Sequence, residues 1–504
     1  MRRVWAIPLA TGCSVAIGLT SGCRTSPVIS KGSREPIVAA APPTAMTASA
    51  QASIDEKLVR SEATIPDRQA NIDLSTALEI AGSRNPTINL AREFVVEAVS
   101  RQNEAKALVF PSLSAGANLR IHLGPVQQSN GNILNVDSQS LYYGAGSRVV
   151  GTGTASVPGI RAFYPLGDVV LERRAAEQVV AIVRGDSAAV QNLTLLDVAT
   201  AYLELLNADA TLESLRLGEG EFAEIARLTT ANAKAGQGRD ADAKRAEANL
   251  DLLRRQSLEI RGERGAASAR LAAMLGADPT LPLIPPGGKL YPLGFFDSSA
   301  EADSLVALAL QSRPEVNARA SEIAESTTRL RQEQLRPWLP TVVLGYSAGG
   351  FGGGSDLNGT SYSNFGSRSD FDVAAVWSIQ NAGIGNRASQ HRGRARIGQA
   401  VARLDSTQNQ VHAEVLDSLT QIQAAWSRIE TARRQLTTAQ DGFTEEMTRI
   451  KQGEGRPLEA LDSTRQLTET RLELIRAITD HNIAQFRLFA AVGSTPGAQS
   501  PTAR

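Results

Sequence analysis

Cysteine is nearly absent. The 504-residue chain has two, Cys13 and Cys23, both close to its start. This excludes a disulfide framework or a Cys-rich zinc site in the rest of the chain. Histidine is scarce as well, at four residues, and aromatics make up 5%. Charge of either sign is not in excess: Lys+Arg and Asp+Glu are 52 each. A nucleic-acid partner would call for a basic surplus, so none is expected. There is no phosphate-binding glycine loop, so no nucleotide-hydrolysing motif is at hand. No cofactor or metal is expected. What is abundant is Ala, Leu, Arg, Glu and Gln, which reads as long helices more than one compact core.

The N-terminus reads as an export signal. Arg2 and Arg3 precede an apolar stretch from Val4 to Leu19, shorter than the ~20 residues that span a bilayer. Thr20-Ser21-Gly22-Cys23 resembles a bacterial lipobox, making residues 1–22 a lipoprotein signal peptide and Cys23 the lipidated residue; the alternative is a cleaved signal with an incidental cysteine. Residues 23–70 are the anchor and a disordered tether, rich in Ser, Ala, Pro and Thr, too poor in apolar surface to order itself. Residues 494–504 are expected to form a disordered tail.

The body is expected to contain a repeat, 71–285 and 286–493. Leu74–Ala91 and Ser304–Ala320 share one plan: a short amphipathic helix, a proline (Pro86, Pro314), then a second helix. Proline suits the first helical turn, where its missing N–H costs least. Each second helix stops at another proline, Pro111 or Pro340, and the period changes from 3.6 to 2.

Leu113, Ala115, Ala117, Leu119, Ile121 and Leu123 alternate with polar residues that include Arg120 and His122. This predicts strands over about 112–123 and 148–163, separated by a Gly/Asn/Ser loop from Gly124 to Ser147. The second half predicts strands over about 341–348 and 371–379 around a Gly-rich loop, Gly349–Ser369. Their length fits tilted membrane strands, apolar to lipid and polar to lumen, with Arg120 and His122 as lumen lining; a soluble sheet edge gives the same alternation. Aromatics near the strand ends (Trp338, Tyr346, Trp377, Phe163, Tyr164) suit membrane interfaces.

Long proline-free helices are expected over 168–234 and 387–452, each ending in a glycine turn, with returning helices over 240–275 and 456–492. Leu195, Val198, Tyr202, Leu205 and Leu212 set a heptad seam that Asp209 interrupts. An ascending and a returning helix together match one long helix, so two short helices should stack beside each long one. If the strands are transmembrane, four cannot close a barrel, and an open edge in lipid leaves backbone groups unpaired, so several chains must then share one.

On these features, over residues 72–493, the chain resembles the TolC-like outer membrane factor (outer membrane efflux protein) family, lipoprotein type. The carrying residues are the Asn85-Pro86 and Arg313-Pro314 helix starts and the turns at Gly236/Gly238 and Gly453/Gly455. After the second turn acids follow at the family's spacing, Glu459 and Asp462 after Gly453; in the first turn Asp242 lies six after Gly236. The resemblance implies a mixed α and β membrane protein: a long antiparallel helical coiled-coil barrel under a shared trimeric 12-stranded β-barrel. It implies a homotrimer in the outer membrane of a Gram-negative type bacterium, docked on a periplasmic adaptor protein and an inner-membrane pump. Its task would be efflux of small molecules such as drugs or metal ions. A polypeptide-secretion duct is the near alternative, and a lipid-anchored periplasmic scaffold the alternative of a different class.

Within that frame Glu459, Asp462 and Asp242 are gate candidates. Glu459 and Asp462, three apart, share one helix face, and symmetry would turn each into a carboxylate ring able to select cations. An acidic helix start favoured by the dipole explains the same residues. Gly236, Gly238, Arg239, Gly453, Gly455 and Arg456 form the helix tips, where the arginines either contact an adaptor or pair locally. Gly345-Tyr346-Ser347-Ala348-Gly349 matches the G-x-S-x-G hydrolase elbow, but that motif needs a following helix, and glycines follow here. No enzyme is expected.

Overall fold

The computed structural model describes residues 70–110, 112–113, 115–146, 160–236, 238–286, 290–297, 300–358, 360–452 and 454–495. The expectations for the signal peptide, Cys23, most of the tether and the tail lie outside them.

Eight helices and eight strands are described: β1 (Ala70–Asn71), α1 (Leu74–Arg84), α2 (Pro86–Ala107), β2 (Ser112–Leu113), β3 (Ala115–Gln127), β4 (Ile133–Gly146), β5 (Ile160–Pro165), α3 (Leu166–Lys234), α4 (Asp240–Met274), β6 (Leu283–Ile284), α5 (Ala302–Ser312), α6 (Pro314–Leu335), β7 (Thr341–Ser355), β8 (Thr360–Val376), α7 (Ile384–Lys451) and α8 (Pro457–Ala491). Ala70, expected in the tether, pairs in parallel with Leu283.

Long helix α3 packs against α2 and α4 on one side and against α6 and α8 on the other, and α7 packs against α6 and α8. The helices therefore form four tracks, with α2/α4 and α6/α8 stacked end to end beside α3 and α7. Of the heptad seam, Leu195, Val198, Tyr202 and Leu205 are buried. Each such side chain contributes roughly 1.5–3 kcal/mol by leaving water. Asp209, the break in the seam, forms an ion pair with Arg264 of α4. Arg319 and Arg329 of α6, and Arg336 at its C-cap, reach Asp186, Glu172 and Asp168 of α3 and lace the upper tracks together.

The joints between stacked helices reuse the two residues before the prolines. Asn85 caps α2, its Oδ1 accepting from Thr87 N–H at 2.8 Å and Ile88 N–H at 3.3 Å. Its Nδ2 donates to the Met274 carbonyl at the end of α4, at 2.7 Å. Arg313 does the like for α8: its Nε donates to the Ala491 carbonyl at 2.6 Å, while Glu315 and Glu414 hold the rest of the guanidinium. One element had no signal in the sequence. An extended segment beside α8 is held by that helix's amides: Asn482 bonds Tyr291 and Leu293, and Gln485 bonds Phe295 and Phe296.

The sheet is antiparallel and curled. β4 and β5 lie end to end along one edge of β7, β8 lies along the other, β3 pairs with β4, and β2 with β5. That gives four strand tracks with β3 and β8 outermost. Several strand limits differ from expectation. The expected loop Gly124–Ser147 is largely the β3–β4 hairpin, and of the strand expected over 148–163 only the part from Ile160 is described, because 147–159 lie outside the described residues. The expected loop Gly349–Ser369 is mostly strand, turning only at Asp356–Asn358. Gly and Ser give no apolar contrast to mark a period, yet their backbones pair across the sheet. Gly352 shows the packing reason: in register opposite Phe365, it has no Cβ, and the Phe365 ring occupies that space. In the second long helix, Gly383 (φ +87) caps a start at Ile384, ahead of the expected Arg387.

Candidate functional site

Two surfaces carry the functional readings: the sheet and the helix tips. Directly opposed residues in a sheet share a face. The register puts Leu119, Ile121 and Leu123 on one face with Leu141, Leu344, Tyr346, Phe371 and Val373. Leu119, Ile121, Leu123, Phe371 and Val373 are all exposed. The other face holds Arg120, His122, Ser138, Ser140, Arg368, Asp370 and Asp372. Arg368 and Asp370 are ion-paired at 2.6 Å, and His122 Nε2 lies 3.2 Å from the Gly124 carbonyl oxygen. Arg120 and His122 thus share the polar face. Trp338 and Trp377, at the helix–strand junctions, are 78% and 60% exposed.

At the far end, α3 turns into α4 and α7 into α8. Phe222 and Ile225 of α3, Ala246 of α4, Met447 and Ile450 of α7 and Ala460 and Leu461 of α8 pack into one cluster. Asp242 and the Glu459/Asp462 pair therefore lie at the same end of the molecule. The first turn takes a left-handed step at Gly236 (φ +74). In the second, the N–H groups of Glu454 and Gly455 both donate to the Arg449 carbonyl at 3.0 Å. That fold brings Gly455 so close to α7 that a Cβ there would lie 2.7 Å from the Ile450 nitrogen. Gly453 lies outside the described residues.

Asp242 stands in the first turn of α4 and Glu459 in that of α8, where the helix dipole favours negative charge. Asp242 is 3.8 Å from Arg245, and Glu459 is 3.7 Å from Arg456. Asp462 is exposed, with no ion-pair partner among the described residues. Arg456 is thus engaged locally, while Arg239 is exposed at the start of α4. The sequence reading missed the bond that fastens this end: Arg471 of α8 forms a fork on Glu221 of α3, two contacts of 2.9 Å. With 250 residues between them, no local spacing marks the pair.

The hydrolase-like motif Gly345–Gly349 lies inside β7, which continues to Ser355, so no helix follows the serine. Among the described residues no helix is long and apolar enough to cross a membrane; the sheet is the element with an apolar outer face.

A four-track sheet whose outer edges have no partner among the described residues, carried on paired long helices, is the fold shared with solved outer-membrane channels. Residues 305–494 match the family model described as "Outer membrane efflux protein". No curated protein sequence matches the chain. Among solved structures, a membrane protein from Pseudomonas aeruginosa is similar with a TM-score of 0.70 and 19% identity, over 83% of this chain and 92% of that one. The outer-membrane channel OprN gives 0.68 and 18%, over 84% and 90%. The outer membrane protein VceC of Vibrio cholerae gives 0.66 and 17%, over 84% and 96%. The resemblance read from the sequence is borne out in fold: the chain shares the architecture of these outer-membrane channels.

Proposed function

We propose that the chain is the outer-membrane exit duct of a tripartite efflux system. It is a passive channel that takes small molecules from an inner-membrane pump, through a periplasmic adaptor, to the exterior. The observation that carries this is the sheet: four tracks, an apolar exposed face, a polar opposite face, and no partner among the described residues for the outer edges of β3 and β8. In lipid those edges have to be paired, and further copies of the same chain supply the pairing. Three copies give twelve strands and twelve helical tracks, as the family resemblance implies. Cys23 carries the lipid anchor once residues 1–22 are removed.

The polar face, with Arg120 and His122, lines the lumen. Rings of Glu459 and Asp462, with Asp242 beside them, narrow the periplasmic mouth until a partner engages the tips at Gly236, Gly238, Arg239, Gly455 and Arg456. The test is single-channel recording of the purified full chain in a planar bilayer, with its oligomeric mass measured alongside. A mass near three chains with a low, cation-selective conductance is expected. An assembled protein that never conducts would leave the lipid-anchored scaffold as the better reading.

A further inference from the structure

One stretch of helix carries positive charge with no acid of its own to offset it. From Ile384 to Leu404, α7 carries Arg387, Arg392, Arg394, Arg396 and Arg403 and no acid. The start of a helix favours negative charge and disfavours positive. Its cap, Gly383, offers no side chain. Arg403 is paired with Glu322. The other four arginines are exposed and have no hydrogen-bond or ion-pair partner among the described residues. The start of α3 is the control within the same molecule: there Asp168, Glu172 and Glu177 pair with Arg336, Arg329 and Arg173. The start of α3 is thus neutralised and that of α7 is not.

The placement of the four is informative. Gly393 and Ala400 are buried, Gly393 against Leu330 of α6. At 100° per residue, Arg387 and Arg394 fall on one flank of that contact and Arg392 and Arg396 on the other. A helix standing in a barrel wall has one flank towards the lumen and one outwards, so two arginines face outwards whichever flank it is. At 1.5 Å per residue all four lie within about 20 Å of the helix start. Just before them come exposed Trp377, Ile379 and Ile384, with exposed Phe110 and Trp338 at the neighbouring junctions. Apolar strand face, then tryptophan, then arginine is the order hydrocarbon, interface, phosphate. Guanidinium groups grip phosphate oxygens in pairs and stay charged.

We propose that this arginine cluster binds the phosphates of anionic phospholipids in the leaflet on the helical side of the membrane. The inference rests on the duct reading, which puts the sheet in the bilayer. To test it, the full-length protein is reconstituted in vesicles of equal phosphatidylglycerol and phosphatidylcholine with matched acyl chains. It is then repurified, and the retained lipids are measured by mass spectrometry. Phosphatidylglycerol should be enriched, by on the order of five-fold for each outward arginine. The enrichment should vanish at 1 M salt, where screening shortens to about 3 Å. The R387Q/R392Q/R394Q/R396Q variant should fall to parity, with oligomer mass unchanged; the matching lysine variants should keep part of the preference.

Equal retention of the two lipids by wild-type protein overturns the proposal, and so does enrichment that persists in the fourfold variant. Loss of assembly in that variant, with no lipid preference in wild type, would assign the arginines to contacts between copies of the chain and overturn it too. Should the glutamine variant fail to assemble, the wild-type preference, its salt dependence and the lysine variants decide. Conductance without enrichment sinks this inference alone; enrichment without conductance sinks the duct reading alone.

Discussion

Asn85 donates a 2.7 Å hydrogen bond to the carbonyl of Met274, tying the first residue of one helix joint to the last turn of the helix it stacks on. The same amide caps α2 through its oxygen. One side chain thus satisfies donors at a helix start and an acceptor at a helix end, groups that otherwise lack partners. Arg313 plays the corresponding part at Ala491.

Replacement of Asn85 by Ala should therefore cost about 1–2 kcal/mol, read as a lower midpoint in thermal unfolding. Asp at the same position keeps the cap and loses the donor to Met274, so its midpoint should fall between the two. An Ala variant as stable as wild type would count against the joint.

Arg471 and Glu221 should behave as one unit. R471Q or E221Q alone should each cost roughly 1.5–3 kcal/mol, because each leaves a half-buried charge without its fork. The double variant should cost clearly less than the sum. Additive losses in a double-mutant cycle would show that the two groups are uncoupled.

The acidic mouth has its own test. E459Q/D462N is expected to raise single-channel conductance and weaken cation selectivity. If both stay at wild-type values, D242N is the next variant to record, and Glu459 and Asp462 are merely residues of a helix start.

Acid should loosen the upper tracks. Burial pushes the Glu172 carboxyl up, but Arg329 outweighs it by hydrogen bond and charge, and the net position is below the usual 4.5. A carboxylate lowered in the folded state adds stability above its unfolded value and loses it as pH falls through the folded one. Unfolding followed from pH 6 down to pH 3 should show that loss below about 4.5, with a shallower slope in E172Q. A slope unchanged by the substitution would remove Glu172 from the account.

His481 should respond at higher pH. Burial holds its imidazole below the usual 6.5, against the opposing pull of the Leu293 carbonyl 3.0 Å away. The unfolded chain then takes up a proton before the folded one does, so stability falls as pH drops below 6.5. Protection factors over residues 290–297, taken from hydrogen exchange after correction for the intrinsic pH dependence, should fall between pH 7 and pH 5.5 and fall less in H481Q. Protection that ignores pH would refute it.

The sequence by itself determined the helices, because what makes them is local. A 3.6-residue apolar period, prolines at first turns and glycines at ends act within a few residues. It also determined the polar face that holds Arg120 and His122, since alternation is a property of one strand. Its acids at 242, 459 and 462 were legible as helix starts for the same reason. The extent of the strands was not legible: Gly and Ser runs become strand only because a partner strand, in β4–β7 some 200 residues away, supplies the hydrogen bonds. Only the tertiary structure decided the Glu221–Arg471 fork, the Asn85 and Arg313 joints and the segment held by Asn482 and Gln485. Each joins residues far apart in the chain, and distance in sequence carries no periodic signal that could announce it.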